Sequence, residues 1–435
     1  MRIAYIGAGS AVFARQLITD ILDIEGLEEG SFALCDVDAK RLDVARRIAE
    51  RLVERSGKPF TVEASTERTD LLPGSDIVIN SIEVAGRPNV GHDYEIPLRY
   101  GVDQCIGDTI GPGGIFKALR TGPAWLDIVR DVARLAPNAT ILNYTNPMSI
   151  LTLAATRATG MPVVGLCHSV QGTSRLIADY LEVPYEEMTW RCAGINHNAW
   201  FTELRRGDED LYPRLRERAR VKEVYERDPV RFEVMLHLGY FVTESSGHFS
   251  EYVPYFRKRP ELVERYTRPG YLGASGFYAK GWPEWQVGHQ RRAEAWASGE
   301  EELPTGRSHE YGSDIVEAIA THRPKVVYGN VVNTGLVDNL PEGGCVEVAC
   351  LVDRRGVQPV HFGKLPEQMA ALNRAHMAVH ELMTKALLER DRQAALHALM
   401  LDPLTAAVCS LAEIEQLFDE MWTAEREYLR PFEGD

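Results

Sequence analysis

The stretch RIAYIGAGS, residues 2 to 10, opens the chain with a short apolar run that ends in glycines. Its β-branched and aromatic residues predict a buried strand, and AVFARQLITDIL (11–22) follows with apolar residues near helical spacing. Gly7 and Gly9 match the first two glycines of a G-x-G-x-x-G dinucleotide-binding turn, whereas Val12 occupies the third position. Strand, tight turn and helix in this order predict the first unit of an open parallel sheet.

The alternation of strands and helices continues to about residue 188. Further strands are predicted at SFALCDVD (31–38), FTVEAS (60–65), SDIVINSIEV (75–84), ATILNYTNP (139–147) and PVVGLCHS (162–169). This rhythm predicts an α/β fold with a Rossmann-type parallel sheet that binds ligands at the carboxyl ends of its strands. Beyond residue 188 the pattern loosens into paired strands and helices. We therefore expect an NAD-binding domain at 1–188 and a C-terminal α+β domain at 189–435, packed against it, for substrate, metal and subunit contacts.

Asp36 ends the second predicted strand, where an acidic residue grips a ribose 2′-hydroxyl in folds of this kind. Together with Gly7, Gly9 and Ser10 it forms the predicted dinucleotide site. The carboxylate favours NAD over NADP, although Lys40 or Arg41 could still reach a 2′-phosphate.

Bulk composition excludes several classes of partner. The formal net charge is −15, without a basic run interleaved with aromatic residues, so a nucleic-acid backbone would be repelled. No apolar stretch approaches the ~18 residues of a membrane span, and the first strand leaves no room for a signal peptide. Seven scattered cysteines without a C-x-x-C pair indicate neither a disulfide framework nor a structural zinc site. We expect a cytoplasmic protein without nucleic-acid or membrane partners.

A second set of polar residues ends the later strands. Dehydrogenases of the lactate or malate type pair a histidine with an Asp-x-x-Arg motif; this chain keeps Arg175 and His197, but Gly172 stands where the aspartate would orient the imidazole. Cys167 and His197, with oxygen atoms of a substrate, could instead hold a divalent transition metal over a nicotinamide. The alternative is that both are buried structural residues.

Asn143 and Asn146, in ATILNYTNP, end a strand at the same edge and are expected near the nicotinamide. Asn146 could cap the helix that begins at Pro147, contact substrate, or do both. Gly111 to Gly114 form either a rigid turn into a helix or a helix N-terminus that faces a ligand.

Eight segments together resemble glycoside hydrolase family 4, and most closely its α-galactosidases. They are IGAGS (6–10), DTIGPGG (108–114), NYTNPM (143–148), VGLCHSVQGT (164–173), CAGINHNAW (192–200), GYFVTESSGHFSEYVPYF (239–256), YGNVVNTGLVDNLP (328–341) and CVEVACLVD (345–353). The resemblance implies NAD⁺ and Mn²⁺ or another divalent transition metal as cofactors. It also implies a lactate/malate dehydrogenase-like N-terminal domain, a small α-linked oligosaccharide or glycoside as substrate, and a homodimer or homotetramer.

The resemblance further implies a redox-assisted hydrolysis rather than the usual chemistry of two carboxylates. NAD⁺ takes a hydride from C3 of the sugar, a base removes the acidified C2 proton, and the glycosidic oxygen leaves by elimination. Water then adds, and the C3 ketone is reduced again. Alternatives are the same mechanism on α-galacturonides or α-glucosides, a net NAD-dependent dehydrogenase, and a non-catalytic NAD-binding sensor.

By the same resemblance Cys167 and His197 are metal ligands and Asn146 contacts substrate. The C2 base is expected in GHFSEYVPYF, with Tyr252 as the first choice, His248 as the second and Tyr255 as the third. Asp108 is expected beside the base. His168 stands where relatives carry an acidic proton donor, so it either donates the proton or binds a sugar hydroxyl.

Overall fold

A computed structural model describes residues 1–86, 88–308 and 310–433. Within these ranges the strands are β1 (Arg2–Ile6), β2 (Gly30–Cys35), β3 (Phe60–Ser65), β4 (Ile77–Asn80), β5 (Thr140–Asn143), β6 (Val163–Gly165), β7 (Met188–Ile195), β8 (Asn198–Arg206), β9 (Glu209–Asp210), β10 (Phe241–Val242), β11 (Lys325–Val332), β12 (Cys345–Asp353) and β13 (Gly356–Pro359). All of them belong to one mixed sheet.

The α-helices of the first half are α1 (Ala11–Leu22), α2 (Ala39–Ser56), α3 (Arg68–Leu71), α4 (Asn89–Arg99), α5 (Gly111–Leu135), α6 (Met148–Thr159) and α7 (Ser169–Leu181). Those of the second half are α8 (Tyr212–Arg218), α9 (Lys222–Tyr225), α10 (Pro229–Leu238), α11 (Ser246–Tyr252), α12 (Pro260–Tyr266), α13 (Phe277–Ser298), α14 (Gly312–Thr321), α15 (Glu367–Glu389), α16 (Arg392–Leu401), α17 (Pro403–Val408), α18 (Leu411–Ala424) and α19 (Arg426–Leu429). In the described part of the chain, none of these helices is both long enough and apolar enough to cross a bilayer.

Six parallel strands form the first part of the sheet, in the order β3-β2-β1-β4-β5-β6. This is the doubly wound order of dinucleotide-binding folds, so the predicted α/β class is confirmed. The sheet continues beyond β6 through β11, β12, β7, β8 and β10, which pair antiparallel. The predicted boundary between residues 188 and 189 falls at the first residue of β7, and the division into two domains stays a prediction.

Helices cover both faces of the parallel strands. Ile3 and Tyr5 of β1 pack in one core cluster, whereas Ala4 and Ile6 pack in the other, because successive side chains of a strand point to opposite faces. The central strands therefore read as continuous apolar runs in the sequence.

The carboxyl ends of β4, β5 and β6 meet at one edge and are joined by buried amides. Asn80 Nδ2 donates to Asn143 Oδ1 at 2.8 Å, and the Leu166 backbone N–H donates to the Asn143 carbonyl at 2.9 Å. These bonds fix the strand ends from which the Asn146 and Cys167 segments depart.

A buried ionic cluster ties α4 and α5 to the C-terminal helices. The Arg120 guanidinium donates to both oxygens of Asp93, at 2.9 and 2.7 Å, and to Glu425 Oε2 at 2.5 Å. Burial and the neighbouring Asp93 carboxylate raise the pKa of Glu425 to about 8. Glu425 is therefore protonated in the folded protein at neutral pH. The two carboxyl groups, Asp93 and Glu425, then carry one net negative charge opposite Arg120.

We expect Glu425→Gln to flatten the pH dependence of stability. A carboxyl whose pKa rises on folding contributes stability below its unfolded pKa, near 4.5, and loses it as the pH rises toward about 8. At about 1.4 kcal/mol per pKa unit, the free energy of unfolding of the parent should fall between pH 5 and pH 9 by about 4 kcal/mol more than that of the variant. Urea unfolding at both pH values measures this difference.

Glu427→Gln, on an exposed carboxylate of α19, is the matched control and should behave like the parent. Parallel pH profiles for the parent and Glu425→Gln would show that Glu425 does not take up a proton on folding.

Candidate active site

The nucleotide crevice lies where β1 meets α1. The Gly7 backbone N–H donates to the Cys35 carbonyl at 2.9 Å, and the Gly9 N–H donates to Asp36 Oδ2 at 2.7 Å. A Cβ on Gly9 would lie 2.6 Å from that same oxygen, and one on Gly7 would lie 2.8 Å from the Ser81 backbone. Both positions therefore require glycine, which is the close approach that a dinucleotide turn needs.

Several residues that flank the predicted crevice are at least partly exposed. Ser10 is exposed and precedes the first turn of α1, and Asp36 is partly exposed at the tip of β2. Asp38 caps α2 by accepting from the Lys40 and Arg41 backbone N–H groups, and the Arg41 side chain lies 3.7 Å from the Asp38 carboxylate. Asp36 stays the predicted contact for a ribose, while Arg41 already has an acidic partner.

Three potential metal ligands converge beyond β6. Cys167 follows β6 by two residues, His197 lies in the tight turn between β7 and β8, and Glu244 follows β10. Cys167 Sγ lies 3.2 Å from His197 Nε2, which lies 3.5 Å from Glu244 Oε2. The sulfur, nitrogen and oxygen atoms are all within 4.8 Å of one another. This donor set suits a divalent transition metal, so the residues fit the predicted ion.

The backbone at His197 has a φ of 61°, in the left-handed region that a non-glycine residue rarely adopts. Such strain persists where the surroundings hold the residue in place. Here the turn aims the imidazole at Cys167.

The charges of the three ligands are coupled. Burial opposes the charge on His197, yet the facing Cys167 sulfur and Glu244 carboxylate raise its pKa to about 10. Burial likewise opposes the thiolate, but the His197 imidazolium holds the pKa of Cys167 below its ordinary value. Each group therefore favours the charged form of the other, and a cation that binds there would displace a proton from the imidazole.

Tyr252 contacts the second ring nitrogen of His197. Its hydroxyl lies 3.2 Å from His197 Nδ1, whereas Cys167 faces Nε2. Burial, followed by the nearby Glu244 and Asp108 carboxylates, raises the pKa of Tyr252 well above 10. The phenol is therefore protonated and lies across the imidazole from the metal ligands, where it orients the ring.

His248 is held by a buried carboxylate. Its Nδ1 lies 3.3 Å from Glu251 Oε2, and its Nε2, which has no hydrogen-bond partner among the described residues, lies 3.8 Å from Asp108 Oδ1. Glu251 also accepts the backbone N–H groups of Cys105, Ile106 and Gly107, at 2.5 to 3.1 Å. One carboxylate therefore positions both His248 and the loop that leads to Asp108.

Asp108 is surrounded by donors. Thr109 Oγ1 donates to its Oδ1 at 2.6 Å, and Asn146 Nδ2 donates to its Oδ2 at 3.3 Å. Lys117 Nζ lies 3.6 Å from Oδ2 and 3.0 Å from Glu83 Oε2. Although burial opposes its charge, the Lys117 ammonium keeps the pKa of Asp108 below its usual range. Asn146 contacts this cluster; Pro147 precedes the first turn of α6, which has no side-chain cap.

His168 lies at the rim of the site, about half exposed, beside Tyr144 and Tyr311. Its Nε2 lies 2.7 Å from Glu310 Oε2. The pair places an imidazole next to Cys167 but on the solvent side.

Other candidates lie outside this cluster. Tyr255 is 45% exposed, Arg175 stacks on the Tyr185 ring at 4.4 Å, and a Cβ on Gly172 would meet no atom within 4 Å. His197 thus lacks the carboxylate–arginine arrangement of a hydroxy-acid dehydrogenase. Gly111 to Gly114 form the closely packed first turn of α5, against Gln104, Gly107 and Thr109.

Sequence reasoning missed four charged residues: Glu244, Glu251, Lys117 and Glu310. Glu244 and Glu251 lie in TESSGHFSEY, whose density of polar groups between apolar stretches was the available signal. Lys117 and Glu310 stand in ordinary helical or loop contexts and gave no signal of their own.

The chain matches known families and proteins along nearly its whole length. The model of the family 4 glycosyl hydrolases matches residues 2–183, and that of the family's C-terminal domain matches residues 192–405. An alpha-galactosidase of Bacillus subtilis is 40% identical, with 98% of this chain and 99% of that protein covered. An alpha-galactosidase of Rhizobium meliloti is 36% identical, with coverage of 98% and 89%.

Solved structures share the fold. The Bacillus subtilis protein lplD superposes with a TM-score of 0.87 at 28% identity, covering 97% of this chain and 99% of that one. The 6-phospho-beta glucosidase of Thermotoga maritima was solved with manganese, NAD⁺ and glucose-6-phosphate. It superposes with a TM-score of 0.80 at 24% identity, covering 98% of this chain and 99% of that one. A malate dehydrogenase of Plasmodium falciparum superposes with a TM-score of 0.53 at 13% identity, covering 92% of this chain and 99% of that one. The last likeness confirms the predicted relation to dehydrogenase folds.

We expect Asp36→Ala to weaken NAD⁺ binding by about 1.5 to 3 kcal/mol, the contribution of a hydrogen bond to a charged group. Calorimetric titration with NAD⁺ measures the change. Asp43→Ala, on an exposed carboxylate of α2, is the control and should bind like the parent. Unchanged affinity in Asp36→Ala would place the ribose elsewhere.

We expect Glu244→Gln to weaken Mn²⁺ binding at least about 10-fold, because a neutral amide is a poorer ligand than a carboxylate. Titration of the apoprotein with Mn²⁺ alone measures this loss without reference to turnover. Glu310→Gln, which changes a carboxylate outside the ligand cluster, should bind Mn²⁺ like the parent. Equal Mn²⁺ affinity in Glu244→Gln and the parent would remove Glu244 from the ligand set.

Proposed function

Because the chain belongs to family 4 of the glycosyl hydrolases, we propose that it hydrolyses small α-galactosides with NAD⁺ and Mn²⁺ as cofactors. The observation that carries the proposal is the Cys167–His197–Glu244 cluster at the sheet edge that also bears the Gly7–Asp36 crevice. Two relatives named alpha-galactosidase, and a solved neighbour with manganese and NAD⁺, support it. The homo-oligomeric state and the cytoplasmic location remain predictions.

The charges around the site favour a neutral galactoside over a galacturonide. A galacturonide would bring a carboxylate that needs a cation of its own. Lys117, the buried lysine of the cluster, already faces both Glu83 and Asp108. Because the one Lys117 ammonium already faces two carboxylates, the site is better suited to the hydroxyl groups of a neutral sugar than to a further carboxylate.

The residues of the two sites fit both cofactors. When bound, NAD⁺ and Mn²⁺ supply transient oxidation at C3 of the sugar and polarisation of its oxygen atoms. Gly7, Gly9 and Asp36 would hold the dinucleotide, and Cys167, His197 and Glu244 would hold the metal. The chain itself then has to orient the sugar, remove the C2 proton and protonate the leaving oxygen.

The hydrogen-bond partners of Tyr252 and His248 distinguish these two leading candidates for the C2 base. Tyr252 contacts Nδ1 of His197, on the far side of the imidazole from Cys167. His248 instead presents toward Asp108 an Nε2 that forms no hydrogen bond within the part of the chain that the structure describes. The carboxylate of Glu251 orients His248 through Nδ1, as in carboxylate–histidine pairs that act as general bases. We therefore assign the C2 base to His248 and an orienting role to Tyr252.

Two further residues complete the proposed chemistry. His168, with Glu310 on its Nε2, would donate a proton to the leaving oxygen or bind a hydroxyl of the sugar. The amide of Asn146, held on Asp108, would orient the sugar between the metal ligands and the dinucleotide crevice.

Hydrolysis in deuterated water tests the mechanism. Because the C2 proton leaves and returns, we expect deuterium at C2 of the released galactose and no net accumulation of NADH. His248→Asn should lose C2 exchange but still reduce bound NAD⁺, since hydride transfer precedes deprotonation. Tyr252→Phe is the matched variant and should retain exchange. Mass spectrometry of the galactose and absorbance of NADH measure both quantities.

Product with only protium at C2 after complete hydrolysis would contradict the elimination mechanism. Loss of exchange in Tyr252→Phe, with exchange retained in His248→Asn, would transfer the base to Tyr252. Steady accumulation of NADH would instead indicate a net dehydrogenase.

A further inference from the structure

Beside the proposed active site lies a connected set of partly exposed aromatic rings, which we term the aromatic strip: Tyr271, Phe277, Tyr278, Trp282 and Trp285. Ring centroids are 6.0 Å apart for Tyr271–Phe277, 5.1 Å for Phe277–Trp285, 6.0 Å for Trp285–Tyr278 and 5.3 Å for Tyr278–Trp282. Tyr271 is 49% exposed. Tyr278 and Trp282 also pack on their inner side against the small buried cluster of Val90, Tyr94 and Ala279. A continuous, partly exposed aromatic surface of this kind is typical of a binding site.

The strip borders the site at two points. The Tyr271 hydroxyl donates to Glu244 Oε1 at 3.1 Å, so one end contacts a proposed metal ligand. The Tyr278 backbone N–H donates to the Cys105 carbonyl at 3.0 Å, in the loop that leads to Asp108. The rings therefore extend the sugar site outward instead of forming a separate patch.

The backbone that carries the strip is fixed. A Cβ on Gly247 would lie 2.7 Å from the Gly273 nitrogen, so α11 packs directly on the turn that bears Tyr271. The Gly276 N–H donates to the Gln104 carbonyl at 2.7 Å. Rings on a fixed backbone bind without a large ordering cost.

We propose that the aromatic strip binds the leaving group of the substrate, and that this group is a neutral sugar. The inference rests on the proposed function. The C–H faces of a pyranose are apolar, so placing one on an aromatic ring removes apolar surface from water while the ring hydroxyls stay hydrated. The five side chains carry no formal charge at neutral pH. The neighbouring Lys280 ammonium donates to the Ser275 carbonyl and lies over the Tyr94 ring, which leaves the strip suited to an uncharged sugar.

Steady-state kinetics with two substrates test the proposal: a galactosyl-glucose disaccharide, which has a sugar leaving group, and methyl α-galactoside, which does not. Trp285→Ala should raise KM for the disaccharide about 5- to 10-fold, the loss expected for an aromatic contact. KM for methyl α-galactoside should change less than about twofold by the same reasoning. Phe277→Leu keeps apolar volume without a ring face and gives a second measure. Trp285→Phe should restore most of the disaccharide affinity.

Val287→Ala, on a 69% exposed side chain of the same helix, is the control and should leave both KM values unchanged. Equal KM changes for the two substrates in both strip variants would overturn the proposal. A change of oligomeric state in these variants, with an unchanged KM for the disaccharide, would also overturn it, because the strip would then be a contact between copies of the chain. If the parent cleaves neither galactoside, the proposed function itself fails. Cleavage of both without selective loss in the variants refutes the strip alone.

Discussion

The geometry of the candidate site depends on one row of four residues that crosses the sheet. Gly165, Asn330, Glu347 and Gly194 stand side by side on β6, β11, β12 and β7. Asn330 Nδ2 donates to the Gly165 carbonyl at 3.4 Å and to Glu347 Oε1 at 3.2 Å, in a fully buried environment. Since β6 and β7 lead to Cys167 and His197, this row sets how far apart the thiol and the imidazole lie.

The row also explains why small and polar residues occupy the centre of a large sheet. A Cβ on Gly194 would lie 2.5 Å from Ala199 Cα in the neighbouring strand, and one on Gly165 would lie 3.0 Å from Asn330 Cβ. Burial raises the pKa of Glu347 well above its ordinary value, so the carboxyl that lies near Cys167 and His197 is neutral. Replacing Gly194 would push apart β7 and β8, whose connecting turn carries His197, because close-packed strands transmit strain over several residues.

Local signals in the sequence were sufficient for the parallel half of the fold. Gly7, Gly9 and Asp36 follow strands whose composition is unambiguous, and α1 and β3 have the predicted bounds. The roles of Glu244 and Glu251 could not be predicted, because each depends on partners far along the chain; Glu251 contacts Cys105, 146 residues away. Choosing between Tyr252 and His248 required knowing that the Tyr252 hydroxyl faces His197 and that Glu251 holds His248, contacts that only the tertiary structure provides.

The sheet carries the proposed metal ligands, whereas a turn and a helix outside it carry the aromatic strip, and this separation affects how the enzyme can diversify. The proposed metal ligands follow β6, β7 and β10, whose register permits no insertion without flipping side chains to the opposite face. Residues 270 to 285 lie outside the sheet, in a turn and the first half of α13. Substitutions there leave the strand register intact. Evolution can therefore vary the surface beside the site while the reaction chemistry stays fixed, in the way that loops on a rigid scaffold generate new specificities.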